Sequence, residues 1–106
     1  SELSDRGNGY DALVCANDLI AFGALVACKA LSIGVPEEVS VTGFDNIFLS
    51  AQFTPSLTSL DQNTYEIGSK AANLLLQYMR GERKNKISFQ LETRLIVRES
   101  SRARRK

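Results

Sequence analysis

Two short apolar runs with a helical pattern between them dominate the first half of the chain. Ala12–Ala16 is continuously apolar between polar neighbours, which predicts a strand buried on both faces of a parallel sheet. Val39–Phe44 predicts a second such strand. Gly34 and Pro36 mark the end of the helix between them. Its predicted inner face consists of apolar and small residues at helical spacing, namely Ile20, Gly23, Ala24, Ala27 and Leu31.

The second half of the chain has a weaker pattern. The apolar residues of 47–59 follow neither a helical nor a strand period, which predicts an irregular segment. Asn63-x-x-Glu66 has the spacing of a capping box and precedes a helix ending near residue 81. Residues 87–97 alternate with a period of two, which predicts a half-exposed strand or two short strands in line. The predicted apolar face of the helix is formed by Ile67, Ala71, Leu74, Leu75 and Tyr78.

The predicted order of elements is β-α-β-loop-α-β, an α/β fold with a partial doubly wound parallel sheet. Three strands make a thin sheet, and both apolar strands need cover on two faces. The start of the chain, Ser1–Arg6, does not look like a natural amino terminus. We therefore expect the 106 residues to be the carboxyl-terminal part of a larger α/β protein.

The composition changes this picture little. The net charge of +1 gives the body of the chain no bias toward nucleic acid or anionic lipid, and no membrane partner is expected. The basic run at 102–106 is expected to be a solvated, disordered tail. Cys15 and Cys28 lie in apolar surroundings, which favours small buried thiols over a disulfide and fits a reducing compartment.

Catalysis has little support in the residues. The chain has no histidine, so His-dependent catalysis and a His-ligated metal are excluded. No nucleophile has a neighbouring base, and Gly7-Asn8-Gly9 precedes a strand instead of following one, unlike a phosphate-binding loop. We expect no catalytic residue, no metal and no cofactor, and we do not predict an enzyme. A small α/β enzyme remains the alternative from a different class.

The two predicted parallel strands both end in an amide and an acid. Asn17, Asp18, Asp45 and Asn46 follow these strands, so they should reach one edge of the sheet, where open α/β sheets bind ligands. Carboxylates accept hydrogen bonds and Asn offers both donors and acceptors, which suits a sugar or the ribose and base of a nucleoside. We expect Asp18 to cap the helix and Asp45 to bind ligand, while Asn17 could do either.

Phe48 and Phe53 lie in the segment that the pattern predicts to be a surface loop. Exposed aromatic side chains there would indicate ligand stacking or a partner interface. The alternative is a satellite core beneath the loop.

Five motifs occur in order over roughly residues 11–101. They are Ala16-Asn17-Asp18-Leu19-Ile20-Ala21-Phe22-Gly23, Gly34-Val35-Pro36-Glu37-Glu38-Val39-Ser40-Val41-Thr42-Gly43-Phe44-Asp45, Pro55-Ser56-Leu57-Thr58-Ser59-Leu60-Asp61-Gln62, Gly68-x-x-Ala71-Ala72-x-Leu74-Leu75 and Leu95-Ile96-Val97-Arg98-Glu99-Ser100-Ser101. In this order and spacing, the chain resembles the carboxyl-terminal part of the effector-sensing domain of lactose-repressor/galactose-repressor (LacI/GalR) type bacterial transcription regulators.

The resemblance implies a two-lobed fold like that of periplasmic sugar-binding proteins, with the effector held between the lobes. It implies that Asn17 and Asp45 contact the effector and that positions near Gln62 to Thr64, at a lobe crossover, line the cleft. It also implies that Phe22 and Phe53 lie on the surface that pairs two subunits, and we add Phe48 to that candidate interface.

The resemblance also implies a division of the chain and a set of partners. Residues 11–62 would belong mainly to one lobe, helix 63–86 to the other, 87–98 to a returning strand and 99–106 to a tail. The implied partners are a sugar-like effector, a second copy of the chain and, through an amino-terminal helix-turn-helix not found in these residues, operator DNA. A cytoplasmic regulator is thus expected, and the alternative is a periplasmic sugar-binding protein of the same fold.

Overall fold

A computed structural model of the protein describes residues 10–83, 85 and 88–103. Strands and helices alternate over this part of the chain. The elements are β1 (Ala12–Val14), α1 (Asp18–Ala30), β2 (Ser40–Phe44), α2 (Phe48–Gln52), β3 (Thr58–Asp61), α3 (Thr64–Met79) and β4 (Arg94–Ile96).

The four described strands form one sheet in the order β1-β2-β3-β4. β1 and β2 are parallel, with Leu13 opposite Val41, and β2 and β3 are parallel, with Gly43 opposite Ser59. β4 is antiparallel to β3 and forms the far edge. The predicted α/β class, the first βαβ unit and the mostly parallel sheet are therefore confirmed.

The prediction of an irregular segment at 47–59 is wrong, because this segment contains α2 and the beginning of β3. Thr58 and Ser59 are almost completely buried, yet they are polar and carry no apolar signal. Their hydroxyl groups make buried hydrogen bonds instead, from Ser59 Oγ to Asp18 Oδ1 at 2.7 Å and between Thr58 Oγ1 and Ser101 Oγ at 2.6 Å. Hydrogen bonding thus replaces hydrophobicity as the reason why this strand is internal.

The last strand is shorter than the alternating pattern at 87–97 predicts. β4 comprises only Arg94–Ile96, because its partner β3 has four residues and the pairing ends at Asp61 opposite Arg94. Ile87, the first residue of the predicted strand, lies outside the described residues.

The core lies between α1 and one face of the sheet. Its buried apolar side chains are Ala21, Phe22, Leu25, Val39, Val41 and Leu57. The predicted inner face of α1 is rotated from the observed one, since Ile20 and Leu31 are exposed. The rotation follows from Asp18, which is buried to 1% exposure and brings the residues three, four and seven positions later to the same face.

The prediction that the first strand is buried on both faces is wrong. Leu13 packs against the core, and the alternation of a strand turns Ala12 and Val14 to the opposite side. The side chain of Val14 is 85% exposed there. The sheet therefore has one covered face and one open face at β1.

α3 stands apart from the core. None of its residues is buried, and the molecule is elongated, with extents of 60 × 26 × 22 Å. The predicted capping box does not form, because Asn63 has a left-handed backbone (φ 57°) and donates its side-chain amide to the Glu92 carbonyl instead of capping the helix. Neither long helix of the described chain is apolar enough over a sufficient length to cross a membrane.

The end of the described chain closes the sheet. Ser100 is fully buried, where its Oγ donates to the carbonyl of Val41 at 2.5 Å and accepts the N–H of Thr58 at 2.9 Å. Arg102 then donates to the carbonyls of Pro36 and Glu37. The prediction of a disordered tail is thus wrong at Arg102, where main-chain carbonyls of the α1–β2 connection provide the acceptors. Residues 104–106 lie outside the described residues.

Gly43 provides a stability test of the packing around Asp18. A Cβ at this position would lie 2.2 Å from Asp18 Oδ1 and 2.9 Å from Leu57 Cδ2, so Gly43→Ala must displace a buried carboxylate. We expect it to lower the free energy of unfolding by about 1–3 kcal/mol in urea denaturation. The matched control is Gly23→Ala in α1, where a Cβ meets nothing within 4 Å. That change should raise stability by up to about 1 kcal/mol, and equal effects of the two would contradict the packing described.

The thiols provide a pH test. Burial raises the pKa of the Cys15 thiol, with a smaller contribution from Cys28, and burial followed by Glu38 raises the pKa of Cys28. Because the folded pKa lies above the unfolded value of 9.0, the free energy of unfolding should be undiminished below that pH and fall as pH rises through the folded pKa. Iodoacetamide should accordingly label the native thiols more slowly than the unfolded ones at neutral pH. Equal labelling rates would rule this out.

The exposed apolar side chains of α3 provide an association test. Ile67, Leu75, Leu76 and Met79 are all exposed, so we expect the isolated chain to self-associate at moderate concentration. Light scattering should show a mass above that of a monomer, which Leu75→Glu reduces. Ser69→Glu, at an exposed polar position of the same helix, is the control. A monomeric mass for the unmodified chain would contradict the prediction.

Candidate functional site

Three connections leave the sheet at the carboxyl ends of its parallel strands. Asn17 follows β1, Asp45 and Asn46 follow β2, and Gln62 and Asn63 follow β3. Ligands of open α/β sheets bind at this edge. The three residues predicted to bind ligand, Asn17, Asp45 and Gln62, therefore all belong to the same edge of the sheet.

Asp45 and Gln62 are in direct contact. Gln62 Nε2 donates to Asp45 Oδ1, and both side chains are half-buried. The backbone of Asp45 is in the positive-φ region (φ 107°), and its N–H donates to the carbonyl of Leu60 at 2.9 Å. β3 thus positions both members of the pair. The carbonyl of Leu60 holds the backbone of Asp45, and Gln62 directly follows the last residue of the strand.

Asn17 is the amino-terminal cap of α1. Its Oδ1 accepts the N–H of Ile20 at 2.8 Å, and its backbone is extended as a cap requires. The cap predicted for Asp18 therefore belongs to Asn17. Capping uses the side-chain oxygen, so the Nδ2 hydrogens are the donors with which Asn17 could bind a ligand.

Asp18 is a structural residue beneath the site. Its Oδ2 accepts the N–H of Ile47 at 2.9 Å and the hydroxyl of Ser50 at 2.5 Å, and its Oδ1 accepts the hydroxyl of Ser59 at 2.7 Å. The carboxylate therefore joins α1 to α2 and β3. Because these donors come from residues 29 to 41 positions away, the local sequence around Asp18 contains no sign of this role.

One residue of this edge, Asp61, escapes the sequence analysis. Its neighbour Asn63 lies in the crossover near Gln62 to Thr64 that the resemblance implies to line the cleft. Asp61 Oδ1 accepts the N–H of Asn63 at 2.8 Å, and Asp61 Oδ2 accepts the side-chain amide of Asn46 at 3.3 Å. Asn46 also donates its N–H to Ser59 Oγ at 2.9 Å, while its Oδ1 is buried with no partner among the described residues. Asp61 ends β3, and Gln62 and Asn63 follow it as Asp45 and Asn46 follow β2, so recognition of β3 would have identified Asp61.

The polar groups at this edge are carboxylates and amides. They accept and donate hydrogen bonds, which suits a neutral ligand with several hydroxyl or N–H groups. The described residues contain no group of three or more His, Cys, Asp or Glu side chains that could hold a metal ion.

The aromatic residues predicted to pair subunits lie at a different place. Phe22 is buried and stacks on Phe53, with ring centroids 4.5 Å apart, while Phe48 is 83% exposed. The stack corresponds to the satellite core that was the alternative for Phe53. Phe53 also lines a groove of about 610 Å³, together with Leu25 and Pro55 among others. A role of these residues in subunit pairing stays a prediction.

Comparisons with known proteins agree on one family. A family model described as a periplasmic binding protein-like domain matches residues 4–101. The chain is 42% identical over 102 residues to the HTH-type transcriptional repressor CytR of Escherichia coli (strain K12), covering 96% of this chain and 30% of that protein. The chain therefore spans less than a third of the length of this curated relative.

Solved structures give the same result. A LacI-type transcription regulator from Bifidobacterium animalis subsp. lactis DSM 10140 superposes with a TM-score of 0.88 at 31% identity, covering 96% of this chain and 36% of that one. A LacI family transcriptional regulator from Enterococcus faecium with bound ribose has a TM-score of 0.86 at 30% identity, covering 94% of this chain and 37% of that one.

Proposed function

The chain belongs to the periplasmic-binding-protein-like domain family and matches the carboxyl-terminal region of LacI-type transcription regulators, and from this we propose that it is the effector-sensing part of such a regulator. Its role is to bind a small molecule at the carboxyl ends of the strands and to pass that event to the rest of the protein. The relatives are transcription regulators, which favours this role over a periplasmic sugar-binding protein and over an enzyme.

The contact between Asp45 and Gln62 is the observation that supports this proposal most strongly. It brings an acceptor and a donor together at the ligand-binding edge of the sheet, although they lie 17 positions apart in sequence. A hydroxyl group of the effector would take the place of the Gln62 amide on Asp45, and Gln62 would then bind a neighbouring ligand oxygen. Asn17 would add its amide donors from the end of β1.

We propose a sugar or a nucleoside-like molecule as the effector. The predicted contacts of Asn17, Asp45 and Gln62 contain no cation, so they suit a neutral polyol better than a phosphate or a carboxylic acid. The related regulator from Enterococcus faecium was solved with bound ribose, which is a ligand of this class.

The site needs a second wall, which we assign to a preceding part of a longer protein. The first matched relative is more than three times as long as the matched region. We propose that residues 11–62 form mainly one lobe, that residues 63–86, which include α3, belong to the other, and that 87–98 return to the first. The lack of any buried residue in α3 supports this division, because the other lobe would cover its apolar side chains.

The remaining partners follow from the same assignment. We propose a homodimer that uses the surface around Phe22, Phe48 and Phe53, where the apolar groove beside Phe53 and the exposed ring of Phe48 provide contact area. Operator DNA would be bound by a helix-turn-helix outside this chain, which places the regulator in the cytoplasm.

Asp45→Ala tests the site in the full-length protein that contains this chain. We expect it to weaken effector binding by about 1–3 kcal/mol, because ligand hydroxyl groups lose their acceptor. Calorimetric titration with D-ribose, D-glucose, adenosine and cytidine would identify a ligand and measure the difference. Glu37→Gln, an exposed change in the α1–β2 connection, is the control and should leave affinity unchanged. Equal affinities of Asp45→Ala and the unmodified protein would refute the role of Asp45, and binding of none of the four would refute the proposed ligand class.

A further inference from the structure

Two chain segments connect the sheet to α3, and one side chain joins them. Residues 62–63 lead out of β3, and residues 91–93 lead back into β4. Asn63 Nδ2 donates to the main-chain carbonyl of Glu92 at 2.5 Å, across 29 positions of sequence. At their sheet ends, the same two segments are held together by the pairing of Asp61 with Arg94. We call the hydrogen bond between Asn63 and Glu92 the crossover bond.

The carboxylate of Asp61 connects the crossover bond to the loop that contains Asp45. One of its oxygens accepts the N–H of Asn63 at 2.8 Å, and the other accepts the side-chain amide of Asn46 at 3.3 Å. Asn46 is the next residue after Asp45. A series of hydrogen bonds, Asn46–Asp61–Asn63, therefore joins the residue next to the predicted ligand residue to the point where α3 leaves the sheet.

Gln62 makes this series of hydrogen bonds sensitive to whether Asp45 binds a ligand. In the structure its Nε2 is bonded to Asp45 Oδ1, and it lies in sequence between Asp61 and Asn63. A ligand hydroxyl that binds Asp45 competes with Gln62 for that oxygen. The chain on both sides of Gln62 must then adjust. Asp61 is one of its neighbours, and the carboxylate of Asp61 holds the N–H of the other, Asn63. The positive φ of Asn63, 57°, adds a second constraint on that adjustment.

We propose that Asp61 is a positioning residue that couples ligand binding at Asp45 to the crossover bond, and through it to the orientation of α3. This inference rests on the proposed function in that it takes Asp45 as the ligand contact. The coupling is reciprocal, so a change at the crossover bond also changes the surroundings of Asn46. Asp61 suits this task because a carboxylate accepts on both oxygens, whereas an amide of the same shape accepts on only one.

The test measures transmission along this series in the full-length protein that contains the chain. Asparagine labelled with ¹⁵N makes the side-chain amides of Asn46 and Asn63 visible by NMR. Asp45→Ala imitates the loss of the Gln62 bond without any ligand, and we expect it to shift the Asn63 amide resonance. In an Asp61→Asn background, which removes one acceptor but keeps the shape, the same Asp45→Ala change should leave that resonance in place.

The reverse direction gives a second, independent variant. Asn63→Asp tolerates the left-handed backbone but cannot donate to the Glu92 carbonyl, so it removes the crossover bond. We expect it to shift the Asn46 amide resonance, and to do so only where Asp61 is present. Glu92→Gln is the matched control, because it changes the side chain and keeps the carbonyl acceptor. It should shift neither resonance.

The outcomes separate this inference from the proposed function. An Asn63 resonance that does not respond to Asp45→Ala, or one that responds equally with Asp61→Asn, would overturn the coupling even if D-ribose or adenosine binds. If none of the sugars and nucleosides binds but the shift appears and depends on Asp61, the ligand class is wrong and the coupling stands. Where a ligand binds, its own shift of the Asn63 resonance should likewise be lost in Asp61→Asn.

Discussion

The buried carboxylate of Asp18 is the constraint on which the rest of the structure depends. It is 1% exposed, and a carboxylate in that environment is tolerated only when donors surround it. Those donors come from the start of α2, from its third residue and from β3. Their convergence fixes the rotation of α1, the place of α2 and the depth of β3. It also leaves no room for a side chain at position 43, so β2, the strand that leads into Asp45, needs a glycine where it runs past the carboxylate. The candidate ligand-binding edge is therefore built on a polar centre, with the apolar core below it.

How much of this could be predicted from the sequence depends on what holds each element. The presence of β1, β2 and α1 is predicted correctly because the strands are apolar runs and the helix has a helical repeat, although β1 is covered on one face only. β3 is missed because its buried residues are polar: the hydroxyl groups of Ser59 and Thr58 are hydrogen-bonded to Asp18 and Ser101. A hydropathy pattern contains no information about such hydrogen-bond partners. The predicted inner face of α1 differs from the observed one for the same reason, because the rotation of the helix is set by a buried acid, Asp18, and not by an apolar residue.

The candidate site shows the same division. Asn17 and Asp45 are predictable because topology alone brings the ends of parallel strands to one edge. The exchange of roles between Asn17 and Asp18 is not predictable, because either residue can cap a helix and only the distant donors to Asp18 decide between them. Asp61 could not be recognised without β3, whereas Asn63 lies within the crossover near Gln62 to Thr64 that the resemblance implies. The apolar pattern of α3 is genuine, but none of its residues is buried in the described structure, so the pattern predicts the helix and not its partner.

The buried Ser100 also has a consequence for the order in which this lobe can form during synthesis. Its hydroxyl and main chain hold Val41, 59 positions earlier, and Thr58, so β2 and β3 are complete only after the end of the described chain has left the ribosome. Until then the growing polypeptide exposes a sheet whose central hydrogen bonds are missing.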